Sequence, residues 1–345
     1  MDYKQSGVDI VAGETAVNRI KSLVSKTYNH NVLSGLGSFG GLYQLDLSKW
    51  KNPILVSSTD GVGTKILVAQ KAKKYNTIGE DLVNHCVNDI FVQGAIQKFF
   101  LDYIGIGKLD VDFINDIIEG MTKACIENGL SLIGGEMAEM RDIYKNDDFD
   151  LVGTIVGLVE KENLITGENI KENDVVIGFP STGLHTNGYT LARKIIFDKL
   201  SLEIDTFVPE IKSTIGESLL SVHKSYFPIL NKWATANFIH GMAHITGGGL
   251  RGNIKRIIPK GLMAIIETSN IDIPPLFSWL IDKGEIPMES AFDAFNMGIG
   301  FVIITNKKNS ESILAETTGF EIGQIKKAEN NLSVALNFNR KKHGF

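Results

Sequence analysis

GLGSFGG, residues 35–41, satisfies the pattern G-x-G-x-x-G at positions 35, 37 and 40. That pattern seats a dinucleotide when it follows a strand, opens a helix and lies within a βαβ unit of roughly 30 residues. Its neighbours here stand in the reverse order. Upstream, VNRIKSLVSKTY (17–28) places Val17, Ile20, Val24 and Tyr28 on one face at helical spacing, which predicts a helix. Downstream, LYQLDL (42–47) alternates apolar and polar residues, the period of a half-buried strand. A helix before the loop and a strand after it argue against a Rossmann site and leave the gathering of four glycines to be explained otherwise.

The composition narrows the alternatives. A chain of 345 residues exceeds what one core commonly supports, so two domains are expected. With 43% hydrophobic and 22% charged residues it reads as a soluble globular protein. No run approaches the ~18 apolar residues that a membrane span needs. The opening MDYKQSGVDIVAGE has no apolar core of a signal peptide, which predicts a cytoplasmic protein. Cys86 and Cys125 fall within helical patterns without C-x-x-C spacing and read as reduced core residues. A net charge of -5 and the lack of a long basic run speak against a nucleic-acid partner. Anionic small molecules stay open, because helix N-termini bind them without net basic charge.

Along the chain, TIGEDLVNHCVNDIFVQ (77–93) carries an apolar stripe at 78, 82, 83, 86, 87, 90 and 91, with Asp81, Asn84, His85, Asn88 and Asp89 on its other face. This predicts an amphipathic helix. Strands are expected at 99–106, 130–133 and 151–159, and a helix at 111–128. The polar stretch 161–174 breaks the periodicity and marks a domain boundary, giving domains of 1–165 and 166–345. In the second domain the patterns predict strands near 175–179, 261–267, 298–304 and 332–338 and helices near 187–198, 216–235, 250–258 and 275–283. Alternating helices and strands place the fold in the α/β (α+β) class with mixed sheets.

Four stretches carry candidate chemistry. ILVSSTDGVGTK (54–65) is an apolar strand ending in Asp60 and a glycine-spaced turn, with Thr64 placed to cap a helix and Lys65 in its first turn. A carboxylate, two glycines and a lysine suit a metal-phosphate site; a tight Asp-Gly turn before a capped helix uses the same letters. Asp89 and Glu136, the latter after SLIGG, add two carboxylates at element ends, which fit a shared Mg²⁺ or simply solvated positions. GFPSTGLHTNGY (178–189) and HITGGGLRGN (244–253) each run from a strand into a helix through hydroxyls and glycines. Both read as anion pockets or as glycine-rich turns with their caps. His185 in the first of them is a candidate proton carrier near neutral pH. His240 and His244 stand four apart, but the strand-like flanks and the lack of a third ligand speak against a metal.

Taken in order, these stretches resemble the phosphoribosylformylglycinamidine cyclo-ligase, or AIR synthetase, family. YKQSGVDIVAGE (3–14), GLGSFGG, TDGVGTK, CVNDIFVQGA (86–95), FFLDY (99–103), GKLD (107–110), GGEMAEM (134–140), STGLHTNGY (181–189), AHITGGG (243–249) and FNMGIG (295–300) carry the resemblance nearly end to end. It implies two α/β domains paired into a homodimer through the strands of the N-terminal domain. It also implies ATP-dependent closure of formylglycinamidine ribonucleotide (FGAM) to aminoimidazole ribonucleotide (AIR), with ADP and phosphate released, in purine biosynthesis.

The roles that the resemblance implies follow residue by residue. Gly35, Gly37, Phe39, Gly40 and Gly41 form a lid over ATP phosphates, with Thr64 and Lys65 beside them. Asp60, Asp89 and Glu136 hold Mg²⁺. Lys65, His185 and Asn187 serve the reaction, and Thr186, Thr246, Gly247 and Gly248 seat the ribose phosphate. Met137, Arg141 with Asp142, and Met297 depart from the family's usual letters, Thr, Pro-Gly and Cys respectively. Selenophosphate synthetase, a sibling, needs a reactive residue near its N-terminus, and neither cysteine here precedes position 86. Formylglycinamidine ribonucleotide synthetase, usually much longer or dependent on separate amide-transfer subunits, thiamine-phosphate kinase and an ATP-binding scaffold without chemistry are the remaining rivals.

Overall fold

The structure is a computed structural model that describes residues 10–145, 147–328 and 332–338. The first part of the opening motif, residues 3–9, lies outside the described residues. The chain divides into two compact units, Met1–Phe91 with Ala95–Glu160, and Val92–Gly94 with Lys161–Phe345.

The N-terminal unit runs α1 (Ile10–Val24), β1 (Pro53–Gly61), α2 (Ile66–Ala72), α3 (Asn76–Phe91), β2 (Ile96–Ile106), α4 (Val111–Asn128), β3 (Ser131–Glu139) and β4 (Phe149–Glu160). Its four strands lie in the order β1-β4-β2-β3, with β2 and β3 parallel and the other pairs antiparallel. Asp110 caps α4 by accepting from the backbone N–H groups of Asp112 and Phe113, and Gly129 closes the helix in the left-handed conformation. Helices α3 and α4 pack closely on each other, and α3 lies along β1, β4 and β2. The outer positions of β1, Leu55, Ser57 and Thr59, stay exposed while Val56 between them is buried.

Helix α3 is where the expected pattern meets the fold most instructively. Its apolar stripe is buried as predicted, but so is most of its polar face: Glu80, Asp81, Asn84, His85 and Asn88 are all buried. Buried polar groups persist when partnered, and several of these are. Lys123 Nζ lies 2.7 Å from Glu80 Oε2, and Asn128 Nδ2 donates to Asn84 Oδ1 at 2.8 Å.

Two expectations fail in this unit. LYQLDL does not form a strand: Tyr43 makes a single bridge to Val32, and nothing extends the pairing. Thr64 does not cap α2, which is instead preceded by a 3₁₀ turn, Gly63–Lys65, without a side-chain cap.

The C-terminal unit contains β5 (Val175–Pro180), α5 (Tyr189–Arg193), β6 (Phe207–Val208), β7 (Ser213–Thr214), α6 (Ile215–Leu219), α7 (Phe227–Leu230), β8 (Gly241–His244), α8 (Gly249–Ile254), β9 (Leu262–Glu267), α9 (Pro275–Gly284), α10 (Met288–Ala294), β10 (Ile299–Thr305), α11 (Lys307–Glu316), β11 (Phe320–Lys327) and β12 (Val334–Asn337). Its main sheet has the order β12-β9-β11-β5-β10-β8 and is antiparallel except for the parallel β12–β9 pair. β10 is buried along its whole length, which explains its unbroken apolar run, VIIT preceded by GIGF. The helix expected over 216–235 is broken into α6, an irregular segment and α7. Pro228 sets the start of α7, since it lacks an N–H and is accommodated only in a first turn.

Candidate functional site

In the N-terminal unit, β1 delivers Asp60 to its C-terminal end and α3 presents His85 and Asp89 one turn apart. His85 Nε2 lies 2.9 Å from Asp60 Oδ2 and 3.6 Å from Asp89 Oδ2, and Ser58 Oγ donates to Asp89 Oδ2 at 3.2 Å. Burial disfavours the charged imidazole, but the hydrogen bond to Asp60 and the charges of Asp89 and Asp60 outweigh it and hold the His85 pKa above its ordinary value. Asp60 is the complement. Burial raises its pKa, but the bond and charge of His85 and the Gly61 N–H lower it further, so the net shift is downward. The Asp60, His85 and Asp89 ligand atoms all lie within 4.8 Å of one another. Two carboxylates that keep access to solvent suit Mg²⁺, which takes a few carboxylates and completes its shell with water and phosphate oxygens.

The other two expected members of this site are placed elsewhere. Asp60, Gly153, Asp102 and Gly135 form one row across the sheet. Glu136 on β3 is therefore about 14 Å from Asp60, three strand spacings away, and does not join the Asp60–Asp89 pair within the chain. Lys65, expected at the transferred phosphoryl group, is fully buried, with its Nζ 2.7 Å from the equally buried Asp81 Oδ2. Burial lowers its pKa more than Asp81 raises it. Its ammonium is committed to an internal ion pair between the turn before α2 and helix α3.

A second feature of the same unit is a cleft of about 930 Å³ beneath the 35–41 loop. Gly35, Gly37, Phe39, Gly40 and Gly41 line one side, Lys21 and Asn18 of α1 another, and Asp102, Gly135 and Glu136 the floor. The loop is exposed, with Phe39 at its tip entirely so. Asp102 lies against Gly135 so closely that a Cβ there would be 2.3 Å from its Oδ1, so only glycine fits. Burial pushes the Asp102 pKa up to about 7, and the neighbouring Glu136 charge adds to the shift. Asp102 and Lys21 escaped the sequence reading. The signal for Asp102 was a lone acid within the apolar run FFLDY.

In the C-terminal unit three loops meet. Asn296 is buried and stitches two of them together: its Oδ1 accepts from Ser181 Oγ at 3.1 Å and from Gly298 N–H at 2.9 Å, and its Nδ2 donates to Gly183 O at 2.8 Å. Asn187 reaches the third loop, its Oδ1 standing 3.3 Å from where a Gly247 Cβ would be. That loop is braced by Asn253, whose Nδ2 donates to the carbonyls of Thr246, Gly247 and Gly249 at 3.2, 3.3 and 2.8 Å. Gly248 adopts φ 89°, which leaves its backbone free of the Cβ strain another residue would carry. Thr186, Asn187, Thr246, Gly247 and Gly248 are thus gathered at one end of the sheet.

His185 sits among them, buried, with φ 61°. A non-glycine residue held there costs on the order of 1 kcal/mol, a strain concentrated at functional positions. Its Nε2 accepts from Thr182 N–H at 3.2 Å, which puts the ring proton of the neutral imidazole on Nδ1. His240 and His244 do not share a metal: His240 Nδ1 is 2.6 Å from Asp174 Oδ2, whereas His244 Nε2 is 2.9 Å from His223 Nε2.

The fold and these loops define a member of the AIR synthase-related proteins. The chain matches the family described as AIR synthase related protein, N-terminal domain, over residues 46–159 and its C-terminal domain over residues 171–333. Within it, the chain belongs to the phosphoribosylformylglycinamidine cyclo-ligase family. It is 45% identical over 332 residues to the cyclo-ligase of Geotalea uraniireducens, covering 95% of each chain. To the cyclo-ligase of Geobacillus thermodenitrificans it is 46% identical over 312 residues, covering 90% of each. Among solved structures, thiamine-monophosphate kinase from Stenotrophomonas maltophilia superposes with a TM-score of 0.66 at 15% identity, covering 93% of this chain and 96% of that one. The hydrogenase maturation protein HypE in complex with ATP gives 0.63 at 16%, covering 96% and 92%. At these identities the structural likeness establishes the fold alone.

Proposed function

We propose that the reaction of this family member, ATP-dependent closure of FGAM to AIR with release of ADP and phosphate, is served by separate groups in its two units. The N-terminal unit takes ATP: the glycines of the 35–41 loop let backbone amides approach phosphates, and Lys21 supplies the cation that Lys65 cannot. Asp60, two strands across the sheet from Asp102 of the cleft floor, and Asp89 would hold Mg²⁺, which would offset phosphoryl charge where the triphosphate extends from the loop toward them. The C-terminal unit takes FGAM: Thr246, Gly247, Gly248 and Thr186 seat its ribose phosphate, and Asn187 orients the formamido end.

The chemistry proceeds through attack of the formyl oxygen on the γ-phosphorus, which breaks the bond to ADP. The formyl carbon then carries a phosphate leaving group. The internal amidine nitrogen attacks that carbon, the carbon–oxygen bond breaks, phosphate departs and the nitrogen loses its proton. His185 takes that proton on Nε2, the nitrogen that holds its lone pair, in exchange for the bond from the Thr182 N–H. The observation that carries this reading is the pairing of Asp60 and Asp89 about one imidazole in the unit whose glycine-rich loop roofs a nucleotide-sized cleft.

The exposed outer face of β1, with Leu55 at 64% exposure, suits a second copy of the chain, and the protein works as a homodimer in the cytoplasm. Among the described residues no helix is long and apolar enough to cross a membrane.

The test is purified protein with ATP, Mg²⁺ and FGAM, with AIR followed by diazo coupling and ADP in parallel. Equal, FGAM-dependent formation of both is expected. ADP without AIR refutes the cyclisation, and neither product refutes the enzyme.

A further inference from the structure

The segment between α6 and α7, residues 220–226, has no regular structure, yet it is bound to the His185 loop at several points. Thr182 Oγ1 donates to Val222 O. Tyr226 Oη donates to Pro180 O at 2.9 Å. Thr186 Oγ1 lies 3.4 Å from His223 Nδ1. At the centre of the strap, the His223 ring stacks on the His185 ring, with centroids 4.0 Å apart and planes 21° from parallel. His223 is itself anchored from the far side, its Nε2 2.9 Å from His244 Nε2 at the end of β8. One of those two nitrogens must carry a proton and the other must offer a lone pair, so the pair fixes the orientation of both rings.

The opposite wall is equally fixed. A Cβ at Gly300 would stand 2.4 Å from His185 Cε1 and 2.1 Å from Tyr226 Oη. His185 therefore has backbone on one side and an imidazole face on another, and the buried Thr186, His223 and His244 complete the box.

We propose that His223 is a positioning residue for His185. Its ring is the surface against which the His185 imidazole lies, and its bond to His244 holds that surface in place. Stacking fixes the plane of His185, the Thr182 N–H fixes which nitrogen accepts, and together they leave Nδ1–H as the proton-bearing atom. This rests on the reading that His185 moves the substrate's proton, but the placement can be tested apart from it.

Two variants and two readouts do so. In His223→Ala the stacking surface is lost, and kcat for AIR formation falls about 10- to 100-fold, the scale set by small misplacements of reacting groups. The KM for ATP stays within about threefold, because the groups assigned to ATP are untouched, whereas the KM for FGAM rises to the extent that Thr186 also loses its His223 partner. His223→Phe keeps the aromatic face and gives up only the bond to His244, so kcat recovers to within about fivefold of the native enzyme, the remaining deficit being the share of that bond. The second readout is independent of turnover: ¹⁵N spectra of histidine-labelled protein give one Nδ1–H tautomer for His185 in the native chain and in His223→Phe, and a mixture in His223→Ala.

A native kcat in His223→Ala overturns the proposal. So does His223→Phe as slow as a folded His223→Ala, or a single His185 tautomer that survives in His223→Ala. If the native protein forms no AIR, the assigned reaction fails, and the tautomer result alone still decides whether His223 positions His185.

Discussion

Asp102→Asn tests the electrostatics of the cleft floor. Asp102 has an ordinary value of 3.8 and is pushed up to about 7 in the folded protein. Below pH 3.8 the carboxyl is protonated in both folded and unfolded chains and costs nothing. As pH rises from there, the unfolded chain gives up its proton first, so stability falls, and the loss levels off above about pH 7. A rise of about 3 units at 1.36 kcal/mol each sets a ceiling of about 4 kcal/mol; water reaching the cleft screens the charge and brings the expected cost to about 2 kcal/mol.

Asparagine has the shape of the protonated acid and does not titrate. The variant should therefore melt about 4–8 °C higher than the native protein at pH 8, at 2–4 °C per kcal/mol for a unit of about 150 residues. At pH 4 the gain should nearly vanish. Scanning calorimetry at the two pH values, following the transition of the N-terminal unit, makes the comparison. The same gain at both pH values, or none at pH 8, would refute the assignment of a penalised charge at the cleft floor.

Asp60→Asn keeps a partner for His85 but removes one carboxylate from the Asp60–Asp89 pair; kcat should drop at least about 100-fold, as for loss of one electrostatic stabiliser, with an unchanged circular dichroism spectrum and a raised Mg²⁺ requirement. Full activity in that variant would exclude the metal assignment. Lys65→Ala strands Asp81 in the interior and should cost about 3–5 kcal/mol in denaturant unfolding, whereas Lys65→Met with Asp81→Leu should be close to neutral. A double variant as unstable as the single one would show that the pair matters for more than mutual neutralisation.

Much of the fold is legible in the sequence because periodicity survives burial on one face. The stripe of α3, the run from Val111 to Asn128, and the apolar strands β4, β5 and β10 all stand where their spacing puts them. What spacing does not carry is the partner. LYQLDL alternates as a strand should, but no neighbouring segment pairs with it beyond Val32. The polar face of α3 looks solvated in one dimension, and only the fold shows that Asp81 meets Lys65 and His85 meets Asp60.

The same limit governs the site. Asp60 and Asp89 are brought together, but Glu136 is separated from them by sheet order, which no motif encodes. Lys65 is a lysine in a glycine-spaced turn, a pattern shared by phosphate-binding residues and by internal ion pairs alike. Asp102 and His223 lie in segments read for their apolar spacing, so their polar side chains passed as incidental.

The central claim is that ATP activates the formyl oxygen of FGAM, and labelling that oxygen with ¹⁸O tests it most directly. If the oxygen attacks phosphorus and leaves with it, mass spectrometry of the released phosphate will find one ¹⁸O per AIR formed. Phosphate without label, with the ¹⁸O recovered in water or retained in the product, would contradict the account.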